Sequence, residues 1–331
     1  MPKFQLKCLD DFIGQEHIKK VLELEISACK KTKERFPHTI LIGKAGCGKS
    51  SVARVLAKEL DYTVTFTQGN RLRTPYNLLQ HIVKSREEDE DKFHIIFIDE
   101  IHEMPRRNQE NLYTLMEEEE IDITNTKGVS AYNEETSEDT DVIDVPDFVI
   151  VGATTIEGMI EPPMRSRFKL QFYLQWYADE EIERILRGAR RKLAKRITDT
   201  VIKDIARRSR GVPRIALGYL ERLERAAFAR NTSITKNLAE EVWDLLGVDK
   251  TGLRRQDFEV LRKLAEKNRP VGLKLLSAET ELSERTLVDA IEPQLKKLKL
   301  MEQKSNGRVI SDLGKKYLSS MGVKNGYKRT S

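Results

Sequence analysis

Residues 43–50 read Gly-Lys-Ala-Gly-Cys-Gly-Lys-Ser, which matches the GxxxxGK[ST] pattern of phosphate-binding loops. In such a loop, backbone N–H groups close around phosphate oxygens, Lys49 reaches the outer phosphates and the Ser50 hydroxyl ligates Mg²⁺. A plain glycine-rich turn is the weaker interpretation, because a predicted strand precedes the motif and a predicted helix follows it. The candidate nucleotide-binding residues here are Gly43, Gly46, Cys47, Gly48, Lys49, Ser50 and Ser51.

Two carboxylates, Asp99 and Glu100, follow the apolar run Ile95–Ile98. A buried strand would deliver both to its carboxyl tip, where Asp99 holds Mg²⁺ directly or through water and Glu100 polarises the attacking water. Taken alone, such a pair is more often a solvated strand end. Its position about fifty residues after a phosphate-binding loop favours the catalytic interpretation.

Hydroxyl and guanidinium groups complete the candidate chemistry. Thr154 and Thr155 end another apolar run and could orient water beside a γ-phosphate, although threonines in a strand often reflect β-propensity alone. Arg165 and Arg167 follow a pair of prolines, and Arg214 follows Pro213 at a predicted helix start. Arginine supplied by a neighbouring subunit stabilises phosphoryl transfer. A surface salt bridge is the alternative for each arginine.

Two further side chains leave alternatives open. Cys47 lies at a predicted helix start, which lowers a thiol pKa and would suit a redox switch, but a small filler residue is the better interpretation. His102 follows the carboxylates and is either a relay between nucleotide and DNA or a residue at a helix start.

The elements that must position these groups alternate between helix and strand. Apolar β-branched runs predict strands at 39–42, 63–67, 94–99 and 148–153, and helical periodicity predicts helices at 16–31, from Gly48, near 77–84 and at 109–118. This order is typical of an α/β fold whose parallel sheet is covered on both faces. We assign residues 1–175 to this large domain.

Residues 117–147 interrupt the pattern with twelve acidic side chains and one lysine. This composition predicts an exposed hairpin or loop. Such a segment should repel DNA and contact a basic surface on a partner protein or a neighbouring domain; a solvated loop without a partner is the alternative.

The remaining chain predicts two smaller domains and a tail. Residues 176–248 are helical throughout, and residues 249–322 follow the order of a winged helix-turn-helix, with helices 258–267 and 273–279, an N-cap at Ser283 and strands 300–303 and 308–310. Residues 323–331 form a frayed basic tail.

Charge is distributed unevenly over the 331 residues. The net formal charge is +5, but residues 1–170 carry −8 and residues 251–331 carry +8. The basic winged helix should therefore supply most of the DNA affinity. The candidate DNA contacts are Arg285, Lys296 and Lys297 on the solvent side of helix 284–298 and Arg308 at the wing tip. Pro293 is expected to bend that helix or to end its regular part early.

Composition excludes several classes of protein. The sequence has no run approaching about 18 apolar residues, and its start lacks a signal-peptide core. Its three cysteines form neither a disulfide framework nor a zinc-site pattern. We expect a cytoplasmic protein without membrane contact.

The motifs together resemble AAA+ ATPases and, within them, the RuvB family of Holliday-junction branch-migration motors. The resemblance covers roughly residues 5–320 and rests on Asp11–Gln15, Phe97–His102, Leu112–Tyr113, Gly152–Thr155, Arg165–Phe168, Gly211–Ala216, Pro270–Leu273 and Gly307–Val309. It implies a hexameric ring with ATP bound between subunits. It also implies that Arg167, or less favourably Arg165, acts in trans, that Arg214 senses the γ-phosphate in cis, and that Ile13 and Gly14 lie near the adenine. Pro213, next to Arg214, is a further candidate nucleotide-binding residue.

The sequence departs from the family at two places. Lys44-Ala45 replace two prolines and Cys47 replaces a leucine in the loop, while the glycines, Lys49 and Ser50 remain. The acidic segment replaces an apolar hairpin that docks the partner RuvA, which places that docking in doubt. The leading hypothesis is an ATP- and Mg²⁺-dependent motor on branched DNA; the alternative is an AAA+ nucleotide switch that initiates or loads on duplex DNA. A structural DNA-binding protein with a vestigial pocket is disfavoured because the charged catalytic positions are all present.

Overall fold

A computed structural model describes residues 6–74, 77, 80, 92–118, 120–122, 131–133, 138–140, 142–144, 148–190 and 197–322. For residues 117–144, 190, 321 and 322 it describes backbone alone. The predicted helix near 77–84 and the basic tail lie largely or wholly outside these residues. The chain divides into two compact units: Met1–Lys192 with Val212–Arg214, and Leu193–Gly211 with Ile215–Ser331.

A five-stranded parallel sheet forms the centre of the first unit. The strands of this unit are β1 (Thr39–Ile42), β2 (Thr63–Gln68), β3 (His94–Asp99), β4 (Glu120–Asp122), β5 (Ala131–Asn133), β6 (Glu138–Thr140), β7 (Val142–Asp144), β8 (Phe148–Thr154) and β9 (Leu170–Tyr173). The sheet order is β2-β3-β8-β1-β9. Each strand is parallel to its neighbours, which confirms the predicted sheet.

Strands β3 and β8 are buried along almost their whole length, which explains their continuous apolar runs. The sheet order is broken between β1 and β2, because β3 and β8 lie between them. In open α/β sheets, ligands bind beyond the carboxyl ends of the strands next to such a break. The fold thus brings the residues after β1, β3 and β8 to one edge.

The described part of the first unit contains five α-helices. They are α1 (Glu16–Thr32), α2 (Lys49–Leu60), α3 (Arg106–Glu118), α4 (Pro162–Arg167) and α5 (Asp179–Arg190). Helix α3 begins at Arg106, three residues before the predicted start. Its first turn is stabilised because the buried Asn108 and Gln109 amides donate to the carbonyls of Leu72 (2.8 Å) and Met104 (3.0 Å).

The backbone of the acidic segment contains two antiparallel ladders. Strand β4 pairs with β7, and β5 pairs with β6. The described backbone is therefore that of the predicted hairpin.

The second unit contains the remaining helices and a two-stranded wing. They are α6 (Asp199–Arg208), α7 (Pro213–Ala229, from Ile215 onward in this unit), α8 (Lys236–Leu246), α9 (Arg255–Lys267), α10 (Leu273–Thr280), α11 (Glu284–Thr286), α12 (Glu292–Lys297), β10 (Met301–Lys304), β11 (Gly307–Ile310) and α13 (Asp312–Gly322). The order from α9 to β11 confirms the winged helix. None of the described helices is long and apolar enough to cross a membrane.

The third winged-helix segment shows how proline is accommodated. Ser283 caps it as predicted, because its hydroxyl accepts the amide of Thr286 at 3.0 Å. The regular part ends early, as the second alternative predicted: the α-turns stop at Thr286, a wider π-turn at Leu287–Ile291 precedes Pro293, and the helix then continues to Lys297. Proline lacks the amide that an α-turn needs there, so the turn widens while the helix persists.

Candidate nucleotide site and DNA-binding surface

The phosphate-binding loop connects β1 to α2 at the carboxyl edge of the sheet. The Gly43 amide donates to the Thr154 carbonyl (3.1 Å), which joins the loop to the end of β8. Gly46 and Gly48 have φ values of +85° and +104°, a region that favours glycine. A Cβ at Gly46 would lie 2.8 Å from Val212 Cγ1, so this glycine also permits close packing of the segment that carries Arg214.

Lys49 begins α2 and points into this loop. Its side chain is buried, and Nζ donates to the carbonyls of Gly43 (2.6 Å) and Lys44 (3.3 Å). Burial lowers the pKa of Lys49, while the nearby charges of Glu100 and Asp99 oppose that change. The ammonium group is thus held among carbonyl oxygens and close to both predicted carboxylates.

Cys47 is wholly buried in the same loop, and burial raises the pKa of its thiol. A redox switch requires an exposed thiol of low pKa. The structure therefore supports the filler interpretation and contradicts the switch.

Asp99 and Glu100 lie at the carboxyl tip of β3, as predicted. Glu100 has a left-handed backbone (φ +47°), an uncommon conformation for a non-glycine residue that is typical of functional sites. Sequence reasoning missed Gly69: a Cβ there would lie 2.4 Å from the Glu100 carbonyl oxygen. Only glycine permits the chain after β2 to approach the Glu100 backbone so closely.

Thr155 and His102 hold the Glu100 carboxylate. Oε2 accepts the Thr155 hydroxyl (2.9 Å) and the Thr155 amide (3.2 Å), and His102 Nδ1 lies 3.3 Å away. His102 is buried beside these groups, in the middle of a short 3₁₀ turn, Ile101–Glu103. Its role as a relay remains a prediction.

The structure does not support the predicted role of Thr154. Its side chain is completely buried, and its hydroxyl contacts His102 Nδ1 (2.9 Å) and accepts the Ile156 amide (3.0 Å). The two threonines alternate along the end of the strand, so they face different groups. Thr155 contacts the candidate base directly, whereas Thr154 supports His102.

The expected adenine segment packs against a tyrosine and the loop. Gly14 has φ +78°, and a Cβ there would lie 2.8 Å from both Glu181 Oε1 and Tyr177 Cε1. The Tyr177 hydroxyl donates to the Cys47 carbonyl at 3.2 Å. The neighbour of Gly14, Gln15, exchanges hydrogen bonds of 2.7 and 3.0 Å with the Gln175 backbone. Sequence reasoning did not identify Gln15 and Tyr177 as site residues, because neither residue type by itself indicates a nucleotide site.

The three candidate arginines lie in different places. Arg214 lies beside the phosphate-binding loop: a Cβ at Gly46 would be 3.0 Å from Arg214 Cβ. Arg165 forms an ion pair with Glu157 and donates to the Tyr173 hydroxyl at 3.0 Å. Arg167 instead lines a groove of about 950 Å³ whose other walls include His38 and Phe93.

This groove lies at the edge of the sheet opposite the phosphate-binding loop, because His38 and Phe93 immediately precede β1 and β3. A four-residue strand such as β1 spans about 13 Å. Arg167 is therefore on the far side of the sheet from its own loop.

The residues expected to hold Mg²⁺ fit that ion. Ser50 and Asp99 provide a hydroxyl and a carboxylate, and Mg²⁺ takes its remaining oxygen ligands from water and substrate phosphates. Among the described residues there is no cluster of three or more His, Cys, Asp or Glu side chains suited to a metal. A nucleotide-linked ion agrees with this donor set.

In the winged helix, Arg308 is not the exposed tip cation that we predicted. The turn precedes it, and Arg308 pairs with Gln303 inside the wing. Its side chain is only 13% exposed, and Nε donates to Glu292 at 2.7 Å. Glu292 is a buried carboxylate that attracts the cation away from solvent.

The other predicted DNA contacts are exposed. Arg285, Lys296 and Lys297 all lie on the solvent side, as predicted. Lys296 Nζ also contacts Glu292 (2.9 Å), and Arg285 lies 3.6 Å from Asp289. Sequence reasoning missed three further cations, Arg269, Lys304 and Lys315, which line a cleft of about 310 Å³ at the base of the wing.

Family comparisons match almost the whole chain. The Holliday junction DNA helicase RuvB P-loop domain matches residues 4–174, the RuvB AAA lid domain matches residues 177–249, and the RuvB C-terminal winged helix domain matches residues 250–319.

Curated relatives and solved structures agree with these matches. The Holliday junction branch migration complex subunit RuvB of Fervidobacterium nodosum is 36% identical over 96% of this chain and 88% of its own length. The subunit of the same name from Helicobacter pylori is 35% identical over 91% of this chain and 86% of its own length. The structure of the Thermotoga maritima RuvB Holliday junction branch migration motor superposes with a TM-score of 0.79 at 29% identity, covering 95% of this chain and 98% of that one.

Proposed function

Because the chain belongs to the RuvB family of AAA+ ATPases, we propose that it is an ATP-driven motor that moves the branch point of Holliday junctions or related branched DNA. The observation that carries this proposal is the assembly of Lys49, Asp99, Glu100 and Thr155 at one edge of the sheet, in a chain that also has the lid and winged-helix domains of this family.

The residues at this edge of the sheet have different roles in ATP binding and hydrolysis. Lys49 and the loop amides bind the β- and γ-phosphates, and Ser50 and Asp99 hold Mg²⁺, which neutralises phosphate charge when bound. Arg214, beside the loop, contacts the γ-phosphate in cis, and Ile13 and Gly14 border the adenine. The positions of Gly14 beside Tyr177 and of Arg214 beside Gly46 support these roles.

Glu100 acts as the base that polarises the attacking water. Its described contacts with Thr155 and His102 all involve Oε2, so Oε1 accepts the hydrogen bond from water. These contacts keep the carboxylate in one orientation, which reduces the entropy lost in reaching the transition state.

Arg167 completes the site of a neighbouring subunit. Its place at the opposite edge of the sheet prevents it from serving its own nucleotide, and a ring brings that edge to the next subunit's loop. This position on the far edge favours Arg167 over Arg165 as the trans residue. The assembly is a homohexamer with ATP between subunits.

The winged helix binds duplex arms, and the acidic segment 117–147 contacts a basic surface on a partner protein. The net charge of +8 on residues 251–331 supports the first assignment, and the twelve acidic residues of the segment support the second. The proposed domain boundaries lie at residues 175 and 248.

A synthetic four-way junction tests the function. Purified protein with ATP and Mg²⁺ should convert the junction to duplex products, and junction DNA should stimulate ATP hydrolysis. Glu100→Gln is the matched control, since it should bind ATP and DNA without producing products. Slow hydrolysis without branch movement, with rings shown to form, would support the initiator or loader alternative instead.

A further inference from the structure

A buried ion pair joins the end of α6 to the start of α9 within the second unit. Arg210 is 10% exposed and Asp257 is fully buried. Arg210 Nη1 donates to Asp257 Oδ1 at 3.3 Å, and Nη2 donates to Oδ2 of the same carboxylate. This bidentate geometry fixes both the distance and the relative orientation of the two helices.

Both partners of this pair are held by further contacts. Asp257 Oδ2 also accepts the Arg254 amide at 2.7 Å, which caps α9. Arg210 Nε donates to the Gly252 carbonyl at 2.8 Å. A Cβ at Gly252 would lie 2.4 Å from the Arg208 carbonyl oxygen, so the segment leading to α9 lies directly on the end of α6.

A second arginine attaches the same segment to the lid helices. Arg208 is 2% exposed, and its Nη1 donates to the Val248 carbonyl at 2.9 Å while Nε contacts Asp204 at 3.0 Å. The Trp243 indole also donates to Asp204, at 2.7 Å. Residues 248–254 therefore have little freedom to act as a hinge between the lid and the winged helix.

The position of Arg210 in the chain relates this ion pair to the nucleotide site. Arg210 and Gly211 both have left-handed backbones, with φ values of +61° and +73°, and Arg214 follows four residues after Arg210. Arg214 lies beside the phosphate-binding loop. The segment that carries Arg214 is thus continuous in sequence with Arg210, which holds the winged helix.

We propose that the Arg210–Asp257 pair is a positioning pair that makes the lid helices α6–α8 and the winged helix one rigid lever. Nucleotide-dependent displacement of the Arg214 segment then moves the DNA-binding domain by the same rotation, without loss in an intervening hinge. This inference rests on the proposed motor function.

The experiment separates rigidity from activity. Fluorophores on cysteines introduced at Asn231 in the lid and Ser305 in the wing, with the partly exposed Cys8 changed to Ser, report the distance between the two domains. In the otherwise unaltered chain we expect one narrow distance distribution that is the same with ATP and ADP. Arg210→Gln should broaden that distribution at least twofold.

Activity assays on the same variants follow. Arg210→Gln should retain basal ATP hydrolysis within about twofold but lose at least tenfold of the branch movement per ATP hydrolysed. Asp257→Asn should lose less, because its amide oxygen still accepts from Arg254 and Arg210. Arg230→Gln is the matched control: its ion pair with Glu241 is exposed in the lid, and its loss should change neither measurement.

Two results would overturn the proposal. One is a distance that changes between the ATP and ADP states of the otherwise unaltered chain, since a rigid lever has one distance. The other is a folded Arg210→Gln variant with a narrow distribution and undiminished movement per ATP. Absence of any ATPase activity would count against the motor function, while the distance measurement would still test the lever.

Discussion

Two buried or half-buried glutamates show how differently the nucleotide site and the winged helix are built. Glu100 is 29% exposed on its side chain and is held by the hydroxyl and amide of Thr155, which leave its carboxylate open to a ligand. Glu292 is 2% exposed and is occupied by Arg308 and Lys296. The first region presents its charge to a ligand, and the second uses its charges to fasten the wing to helix α12.

The comparison teaches what a sequence signal specifies. A phosphate-binding loop needs particular residues because its backbone must adopt one conformation, so the motif predicts geometry. For a basic residue in a helix or strand, the sequence predicts only which face it lies on. A buried acidic partner can still draw its side chain away from solvent. The four predictions below test this distinction.

The largest expected effects are at the nucleotide site. Lys49→Ala should abolish ATP binding, because Lys49 is the buried cation of the loop. Glu100→Gln should retain binding and reduce hydrolysis by about 10³-fold or more, since it removes the base alone. Nucleotide affinity and single-turnover hydrolysis measure the two effects. Equal loss of affinity in both variants would contradict these roles.

The trans role of Arg167 predicts complementation. Arg167→Ala and Glu100→Gln chains, each inactive alone, should recover part of the hydrolysis when mixed, because some interfaces then contain an intact Glu100 and an intact Arg167. Steady-state ATPase over a range of mixing ratios measures the recovery. Arg165→Ala mixed with Glu100→Gln is the control, and it should already be active alone. No recovery in proven mixed rings would place Arg167 in cis or outside the site.

The wing predicts a smaller effect on stability. Arg308→Ala should lower the free energy of unfolding by about 3 kcal/mol, because the buried Glu292 loses a partner. DNA binding should weaken through the displaced wing, with the slope of affinity against salt unchanged. Arg285→Ala, at a 61% exposed side chain, should leave stability unchanged and lower the slope by about one. A lower slope of affinity against salt for Arg308→Ala would instead support the direct phosphate contact that the sequence predicts.

The smallest effect concerns two buried histidines of the first unit. Burial lowers the pKa of both His38 and His94 to about 4, against 6.5 in the unfolded chain. The unfolded chain therefore binds more protons between pH 6.5 and 4, and stability falls as the pH falls through that window. Each histidine should cost about 1 kcal/mol between pH 7 and 5.5. Chemical denaturation of His38→Gln should show a flatter pH profile; an unchanged profile would contradict the shift.

Much of the first unit follows from local rules. Strands β1, β3 and β8 were predicted nearly to the residue, because a parallel sheet buried on both faces requires continuous apolar runs. The phosphate-binding loop and the Asp99-Glu100 pair follow from spacing in the same way. The order of the strands, which places Arg167 at the edge away from its own loop, is not a property of any local pattern.

By itself, the sequence determined the motifs, the domain order and the resemblance to RuvB motors, because each of these depends on residue types at fixed spacings. The fold, and no local pattern, determines which distant groups meet. Gly69 against Glu100, Thr154 against His102, Arg308 against Glu292 and Arg210 against Asp257 are pairs that lie up to 52 residues apart in the sequence. A buried charge must find an opposite charge or a hydrogen-bond donor wherever the fold provides one, and that location depends on packing rather than on sequence distance.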